Sequence, residues 1–362
     1  MYNVCVMGAG KIGSLISCLL AISEDYRVHL ADINFSGQDV QRLLKFVPDI
    51  QTATVDMRDD AALKALLDEH PFDAVISSLP YYLNTPIAEL ARERGLHYFD
   101  LTEDTTVTKV VRELANGADS AFVPQCGLAP GFVSIVANGL MKDFDVLETA
   151  KLRVGALPQY TSNALNYALT WSTEGIINEL GNPCSAIEQG ELVSLSPLEG
   201  LEEVQLDGLT YEAFNTSGGL GSLAESYLNR IQNLSYKTLR YPGHCEKMRF
   251  LMNDLKLNQD RAMMQKLLEN AIPKTYQDVV LIYVAVTGYY RDTYLEKTYV
   301  KKIYPQEIKG KQWSAIQVTT ASSACAVVDM VLSRADEFRG LVLQEQFSLE
   351  NFFQNRFATC YQ

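Results

Sequence analysis

Histidine is scarce in this chain, with four in 362 residues. None stands in a metal-ligand pattern with another, and none of the seven cysteines forms a Cys-x-x-Cys pair. A structural zinc site is therefore not expected. An odd number of cysteines also argues against a disulfide framework, and reduced thiols fit a cytoplasmic setting. Positive charge is in deficit: 31 Lys and Arg against 44 Asp and Glu give a net charge of −13. An acidic surface repels phosphate backbones, so nucleic acid is not an expected partner. No apolar run reads as long enough to span a membrane, and no membrane partner is expected. The N-terminus shows neither a basic start nor a small-residue cleavage site, so no leader is expected. There is no internal repeat and no low-complexity tract. What remains is an ordinary globular composition, 47% hydrophobic and 21% charged, on a chain long enough for two domains.

The informative stretch comes first. The apolar run Tyr2 to Met7 leads into Gly8-Ala9-Gly10-Lys11-Ile12-Gly13, and a helical pattern follows. Strand, Gly-x-Gly-x-x-Gly and helix in that order form the fingerprint of a dinucleotide-binding turn. Gly8 makes the turn, Gly10 leaves room for a pyrophosphate, and Gly13 lets helix and strand approach. Lys11 and Ile12 open the helix, whose free amides suit a phosphate. Asp32 closes the second strand, Arg27 to Asp32, where a carboxylate meets the adenosine ribose hydroxyls. The cofactor implied is NAD, with NADP as the alternative.

The alternation continues. Strands are expected at 51–55, 72–77, 97–101 and 120–124, with helices at 60–69 and 84–94 between them. Pro86 falls in the first turn of the second helix and Gly95 at its end, as helix boundaries prefer. The pattern predicts an α/β fold with a doubly wound parallel sheet of Rossmann type, over residues 1–125. Ligands of such sheets bind at the carboxyl ends of the strands. Three further positions follow from that rule. Asp56, after the third strand, either contacts the adenine or caps the next helix. Ser78, Leu79 and Pro80, after the fourth, line the cofactor. Asp100, after the fifth, is a proton acceptor or ammonium partner, or else binds backbone N–H groups.

Composition changes near residue 125. The segment Gln125 to Phe132 is a proline- and glycine-rich loop into a helix at 133–141, a substrate wall or a domain crossing. Cys126 within it reads as a packed thiol rather than a nucleophile, since nothing nearby in sequence would lower its pKa. Residues 126–320 are expected to form an α+β domain. Its strands are read at 149–154, 204–206, 209–214, 279–287 and 294–300, with a weaker one at 315–318. Asp207-Gly208 predicts a hairpin. Helices are read at 223–233 and 260–270. The tyrosine-rich run from Tyr283 to Tyr304 reads as strand packing or an interface.

Several motifs, taken together and in order, resemble the saccharopine dehydrogenase and lysine 6-dehydrogenase family. They are Gly-Ala-Gly-Lys-Ile-Gly, His97-Tyr98-Phe99-Asp100-Leu101, Cys126-Gly127-Leu128-Ala129-Pro130-Gly131, Tyr167 to Ser172 with Asn178-Glu179, Thr216-Ser217-Gly218-Gly219, Leu239 to His244, and Ala315 to Ser322. The resemblance covers essentially the whole chain. It implies hydride transfer between a nicotinamide cofactor and an amine-bearing carbon of lysine or a lysine–glutamate adduct. It implies a substrate and dimerisation domain, a homodimer or higher homo-oligomer, and a C-terminal helix at about 321–332 within a segment returning to the first domain (about 321–362). Trp171, Ser172, Thr216, Ser217 and Cys126 would then line the substrate. Arg240 has the planar fork that suits a substrate carboxylate, or else pairs with a structural acid. His244, with an ordinary pKa near neutrality, is a proton acceptor or a structural histidine. Glu179 is a rival base or ammonium partner. The substrate expected is a small-molecule amino acid. The competing expectations are a carboxynorspermidine-type reductase and a non-catalytic dinucleotide sensor.

Overall fold

The structure is a computed structural model that describes residues 1–362. It divides into two compact units. The first holds Met1–Phe132, Glu307–Lys311 and Gln317–Gln362; the second holds Val133–Gln306 and Gln312–Ile316. Residues 126–132, read from sequence as the start of the second domain, belong to the first unit.

The first unit runs β1 (Tyr2–Met7), α1 (Lys11–Ile22), β2 (Tyr26–Asp32), α2 (Gln38–Phe46), β3 (Gln51–Thr54), α3 (Asp60–Glu69), β4 (Ala74–Ser77), α4 (Asn84–Arg94), β5 (His97–Asp100), α5 (Thr105–Ala115) and β6 (Ala121–Val123). The central strands are apolar along their length because helices cover both faces of a parallel sheet. Val4, Cys5, Val6 and Met7 are wholly buried, as are Ala74, Val75 and Ile76. Strand order is β6-β5-β4-β1-β2-β3, every pair parallel. This is the doubly wound order, and its reversal between β1 and β4 opens a crevice at their carboxyl ends. Gly95 ends α4 at φ +68°, a left-handed residue that glycine adopts without steric cost.

The second unit begins within α6 (Phe132–Met141) and continues with β7 (Val146–Pro158), α7 (Thr173–Gly181), β8 (Cys184–Glu188), β9 (Glu191–Leu195), β10 (Glu202–Leu206), β11 (Leu209–Asn215), α8 (Leu223–Ser226), β12 (Ile231–Arg240), α9 (His244–Arg249), α10 (Arg261–Ala271), β13 (Asp278–Tyr290) and β14 (Thr293–Ile303). Its mixed sheet has the order β10-β11-β12-β7-β13-β14, with β8 branching from β12 and β9 paired to β8. The expected hairpin is present, with Leu206 opposite Leu209. Buried side chains of α7, α9 and α10, among them Ile176, Met248 and Leu268, form an apolar cluster with Tyr167 and Phe214.

Two sequence assignments are corrected. The helix read at 223–233 stops at Ser226. Asn229 turns left-handed at φ +61°, and β12 starts at Ile231 against Leu147 of β7. The strand read at 315–318 is the start of a helix. After β15 (Gln306–Ile308) and β16 (Lys311–Trp313), α11 spans Ala315–Leu332. Its first amides are capped by a carboxylate 37 residues away: Asp278 accepts from Ala315 N (2.6 Å) and Ile316 N (3.0 Å). α11 is also long and apolar enough to cross a membrane, contrary to the expectation from sequence. However, 89% of it is buried inside the protein, the signature of a core helix. The chain closes with β17 (Gly340–Leu341), parallel to β6, and α12 (Leu349–Gln354).

Candidate functional site

The carboxyl end of β1 has the mechanics expected of a dinucleotide turn. Gly8 donates its N–H to Ala31 O (2.8 Å) and sits at φ +105°. A Cβ there would press on the Ser78 carbonyl and the Leu79 side chain, and one on Gly13 would collide with the Gly8 carbonyl oxygen. A Cβ on Gly10 would meet nothing within 4 Å. Two glycines therefore close the packing, while the third faces open space over the start of α1. No side chain caps α1 and no acid lies in its first turn, so no side-chain charge offsets the positive end of its dipole, which suits an anion. These features fit a pyrophosphate. Lys11 and Ile12, the first two helical residues, are half-buried.

Asp32 ends β2 beside this turn. Its Oδ2 accepts the Ala9 N–H (2.6 Å) and its Oδ1 the Asn34 N–H (3.1 Å), so the carboxylate is fixed against the glycine loop. Ser78 donates its N–H to Met7 O (2.8 Å), which places Ser78-Leu79-Pro80 on the other side of β1. Asp56, after β3, does not cap the following helix. Asp59 does that, through Ala61 N and Ala62 N. Asp56 instead pairs with Arg58 (2.7 Å), whose hydrogen bonds pull its carboxyl down to about 2.

Asp100 is completely buried at the end of β5. Its Oδ1 accepts from Thr102 N and Gln125 N (both 3.0 Å), and its Oδ2 from the Tyr98 hydroxyl (2.9 Å). Burial raises its carboxyl to about 6, against those three hydrogen bonds. Of the roles open from sequence, binding backbone N–H groups is the one this geometry displays. Cys126 corrects the expectation that it lines the substrate. Its side chain is wholly buried, its thiol rests on Val123 O (3.0 Å), and burial raises its pKa well above the ordinary thiol range. A thiol so enclosed lines no open pocket.

In the second unit the outstanding group is Arg240, the last residue of β12, 4% exposed. Its Nη1 donates to Thr238 Oγ1 (2.5 Å) and Leu239 O (2.8 Å), while its Nε has no partner. The guanidinium lies over the Tyr167 ring, 5.0 Å from its centre. No carboxylate pairs with it. The acid opposite it in register is Glu212 on β11. Glu212 spends its oxygens on the amides that open α9, Gly243 N (2.8 Å) and Cys245 N (2.5 Å). The same sheet shows the contrast: buried Arg153 on β7 does have an acid, Glu202, which also binds Lys237 (2.9 Å). Buried guanidinium groups are normally paired.

Around Arg240 the sequence candidates take distinct places. His244 opens α9, and its ring Nδ1 lies 2.8 Å from Leu165 O, which assigns the proton to that nitrogen. Burial and the Arg240 charge lower its pKa to about 3. It stays neutral at pH 7, which removes the argument that an ordinary histidine pKa made it a proton acceptor. Burial raises the pKa of both Tyr167 and Tyr236; Glu179, buried in α7, adds to the rise in both, and Arg240 opposes it in both. Glu179 and Arg240 therefore act on the same two tyrosines. Ser217 joins this wall, donating its N–H to Glu179 O (2.9 Å) and its hydroxyl to Asn178 O (3.2 Å). Thr216 is buried with its hydroxyl unpartnered. Trp171 is half-buried over Gly175, where any Cβ would strike its ring, and exposed Ser172 caps α7 through Gly175 N (3.2 Å). Tyr236 was not singled out from sequence, and Tyr167 only as the first residue of a motif without a site role, because a tyrosine on a buried strand or loop reads as core.

Two family descriptions match the chain. The family described as Saccharopine dehydrogenase NADP binding domain matches residues 4–123, and Saccharopine dehydrogenase C-terminal domain matches 127–357. The chain belongs to the saccharopine dehydrogenase family. It is accordingly an oxidoreductase whose first unit binds a nicotinamide dinucleotide. A saccharopine dehydrogenase [NADP(+), L-glutamate-forming] of Pyricularia oryzae is 23% identical over 82% of this chain and 70% of its own length. In two other curated relatives the match spans only 58% and 27% of their length. The apo saccharopine dehydrogenase (L-Glu forming) of Saccharomyces cerevisiae superposes with a TM-score of 0.76 at 17% identity, covering 98% of this chain and 96% of that one. The homospermidine synthase of Legionella pneumophila in complex with NAD gives 0.68 at 12% identity, with 99% and 89% covered. At these identities the two structures speak for the fold.

Proposed function

We propose that this member of the saccharopine dehydrogenase family moves a hydride to or from an amine-bearing carbon of a lysine-type amino acid or lysine–glutamate adduct, with NAD preferred over NADP. The observation that carries the substrate class is Arg240, a buried guanidinium without a carboxylate of its own. A substrate carboxylate completes it through a charge-assisted pair at the unpartnered Nε and its neighbour. Glu179, acting on the same tyrosines, is the acid suited to the substrate ammonium or to the proton an amine must lose before oxidation. Thr216 offers a further buried hydroxyl to the same ligand. His244 serves as a neutral wall, and Asp100 sets the loops after β5 and β6 rather than exchanging a proton. The dinucleotide, when bound at Gly8–Gly13, supplies the hydride acceptor or donor. The chain's task is to hold the reacting carbon in place and exclude water. Preference for NAD rests on Asp32, whose carboxylate repels a 2′-phosphate, and on the absence of any Lys or Arg between it and α2.

Arg240→Lys tests the assignment. An ammonium cannot reproduce the fork, and losing such a pair costs on the order of 1.5–3 kcal/mol. KM for the amine substrate is expected to rise roughly ten- to a hundred-fold with a smaller change in kcat, and with NADH affinity unchanged. A normal KM removes Arg240 from the site. A collapse of thermal stability makes it structural.

A further inference from the structure

We infer that Asp39, Lys311 and Gln317 form a buried positioning node that presets the dinucleotide site from the far end of the chain. The inference rests on the reading of Gly8–Gly13 and Asp32 as that site. Lys311 Nζ lies 2.6 Å from Asp39 Oδ1, with the two side chains only 3% and 10% exposed. The amide nitrogen of Gln317, a wholly buried residue, donates to Asp39 Oδ2 (3.0 Å) and to the main-chain oxygen of Lys11 (2.9 Å).

Each end of this chain of bonds reaches one wall of the cofactor site. Lys11 is the first residue of α1, directly after Gly10, so its carbonyl belongs to the turn whose amides face the phosphate. Asp39 is in the first turn of α2, and only residues 33–37 separate that helix from Asp32. The Asp32 carboxylate is in turn bonded to Ala9 N–H. The glycine turn and the ribose acid are thereby held by one buried ion pair and one amide. Two of the three members come from residues more than 270 positions later in sequence. Buried ion pairs of this kind contribute little net stability against an apolar replacement; what they confer is a defined geometry. Preorganised binding atoms improve affinity by reducing what must be ordered when the ligand arrives.

The test uses the full-length protein and NADH fluorescence titration, with ADP-ribose as competitor and thermal melting in parallel. Gln317→Leu fills the same space but cannot bridge Asp39 to Lys11. Its Kd for NADH is expected to rise roughly five- to tenfold, the loss of about one hydrogen bond. ADP-ribose should weaken by the same factor, because the node touches only the adenosine and pyrophosphate side. The rate at saturating cofactor should stay within about twofold, the KM-against-kcat split of a binding effect. If Gln317→Leu does not fold, Asp39→Asn carries the test: it keeps the shape, loosens Lys311, and is expected to raise both constants in the same ratio. A folded variant with lowered melting temperature and unchanged Kd overturns the inference and leaves the node purely structural. Wild-type protein that fails to bind NADH would instead refute the cofactor site itself, a distinguishable result.

Discussion

Asp32 and Arg240 are single charges at the ends of two strands, and each is informative through what its neighbours do. Asp32 is held by two backbone amides, so it keeps its position whichever nucleotide arrives. Asp32→Ser removes the repulsion of a 2′-phosphate and the acceptor for ribose hydroxyls together. The ratio of Kd for NADPH to Kd for NADH is expected to fall by roughly tenfold or more, equivalent to about 1.4 kcal/mol. Parallel fluorescence titrations measure it, and a wild type that already binds NADPH more tightly contradicts the argument from this residue. Asp32 was legible in sequence because strand, glycines and acid have fixed spacing. Arg240 was legible only as a choice between a substrate carboxylate and a structural acid. The choice turns on where the Glu212 oxygens point, and a cross-strand neighbour's hydrogen bonds leave no trace in local sequence. His244 misled for a related reason: an ordinary pKa assumes an ordinary environment, and burial beside a guanidinium is not one.

Among elements, the loops that follow β5 and β6 are joined by Asp100, and that junction has a pH signature. Its carboxyl rises from 3.8 unfolded to about 6 folded, so the folded state holds the proton more tightly. The favourable contribution of the neutral form is complete below about pH 4 and is lost as pH rises through 6. A rise of that size corresponds to roughly 3 kcal/mol. Asn at this position stays neutral and still accepts from both amides. Asp100→Asn should therefore gain stability relative to wild type between pH 4 and pH 7, read as a rising difference in melting temperature. A difference that is flat with pH would show that the buried carboxylate is not strained by its setting. The strands and helices around it were largely readable, since alternating apolar runs and helix boundary residues are local signals. Failures occurred where a distant partner decides. β12 is a strand because it finds β7, although its first residues share the apolar spacing of a helix. α11 starts at Ala315 because Asp278, on β13, supplies the cap.

At the scale of the molecule, sequence order already indicated a dinucleotide unit, a mixed second unit and a return of the chain to the first. The exact crossing residues were not legible, because a glycine- and proline-rich loop such as 125–132 looks alike whichever unit it packs with. The two units carry different groups. The first offers an open glycine turn and a fixed ribose acid, and the second a buried arginine lacking an acid. The homospermidine synthase resemblance shows that closely similar folds accompany polyamine chemistry by name, so the carboxylate requirement is the discriminating property. The most direct measurement is the initial rate of NAD+ reduction at alkaline pH over paired amines that differ by a carboxylate, lysine against cadaverine, with saccharopine and carboxynorspermidine alongside. The account predicts turnover confined to carboxylated members. Equal turnover of cadaverine, or NADH binding without oxidation of any amine in the panel, would contradict it.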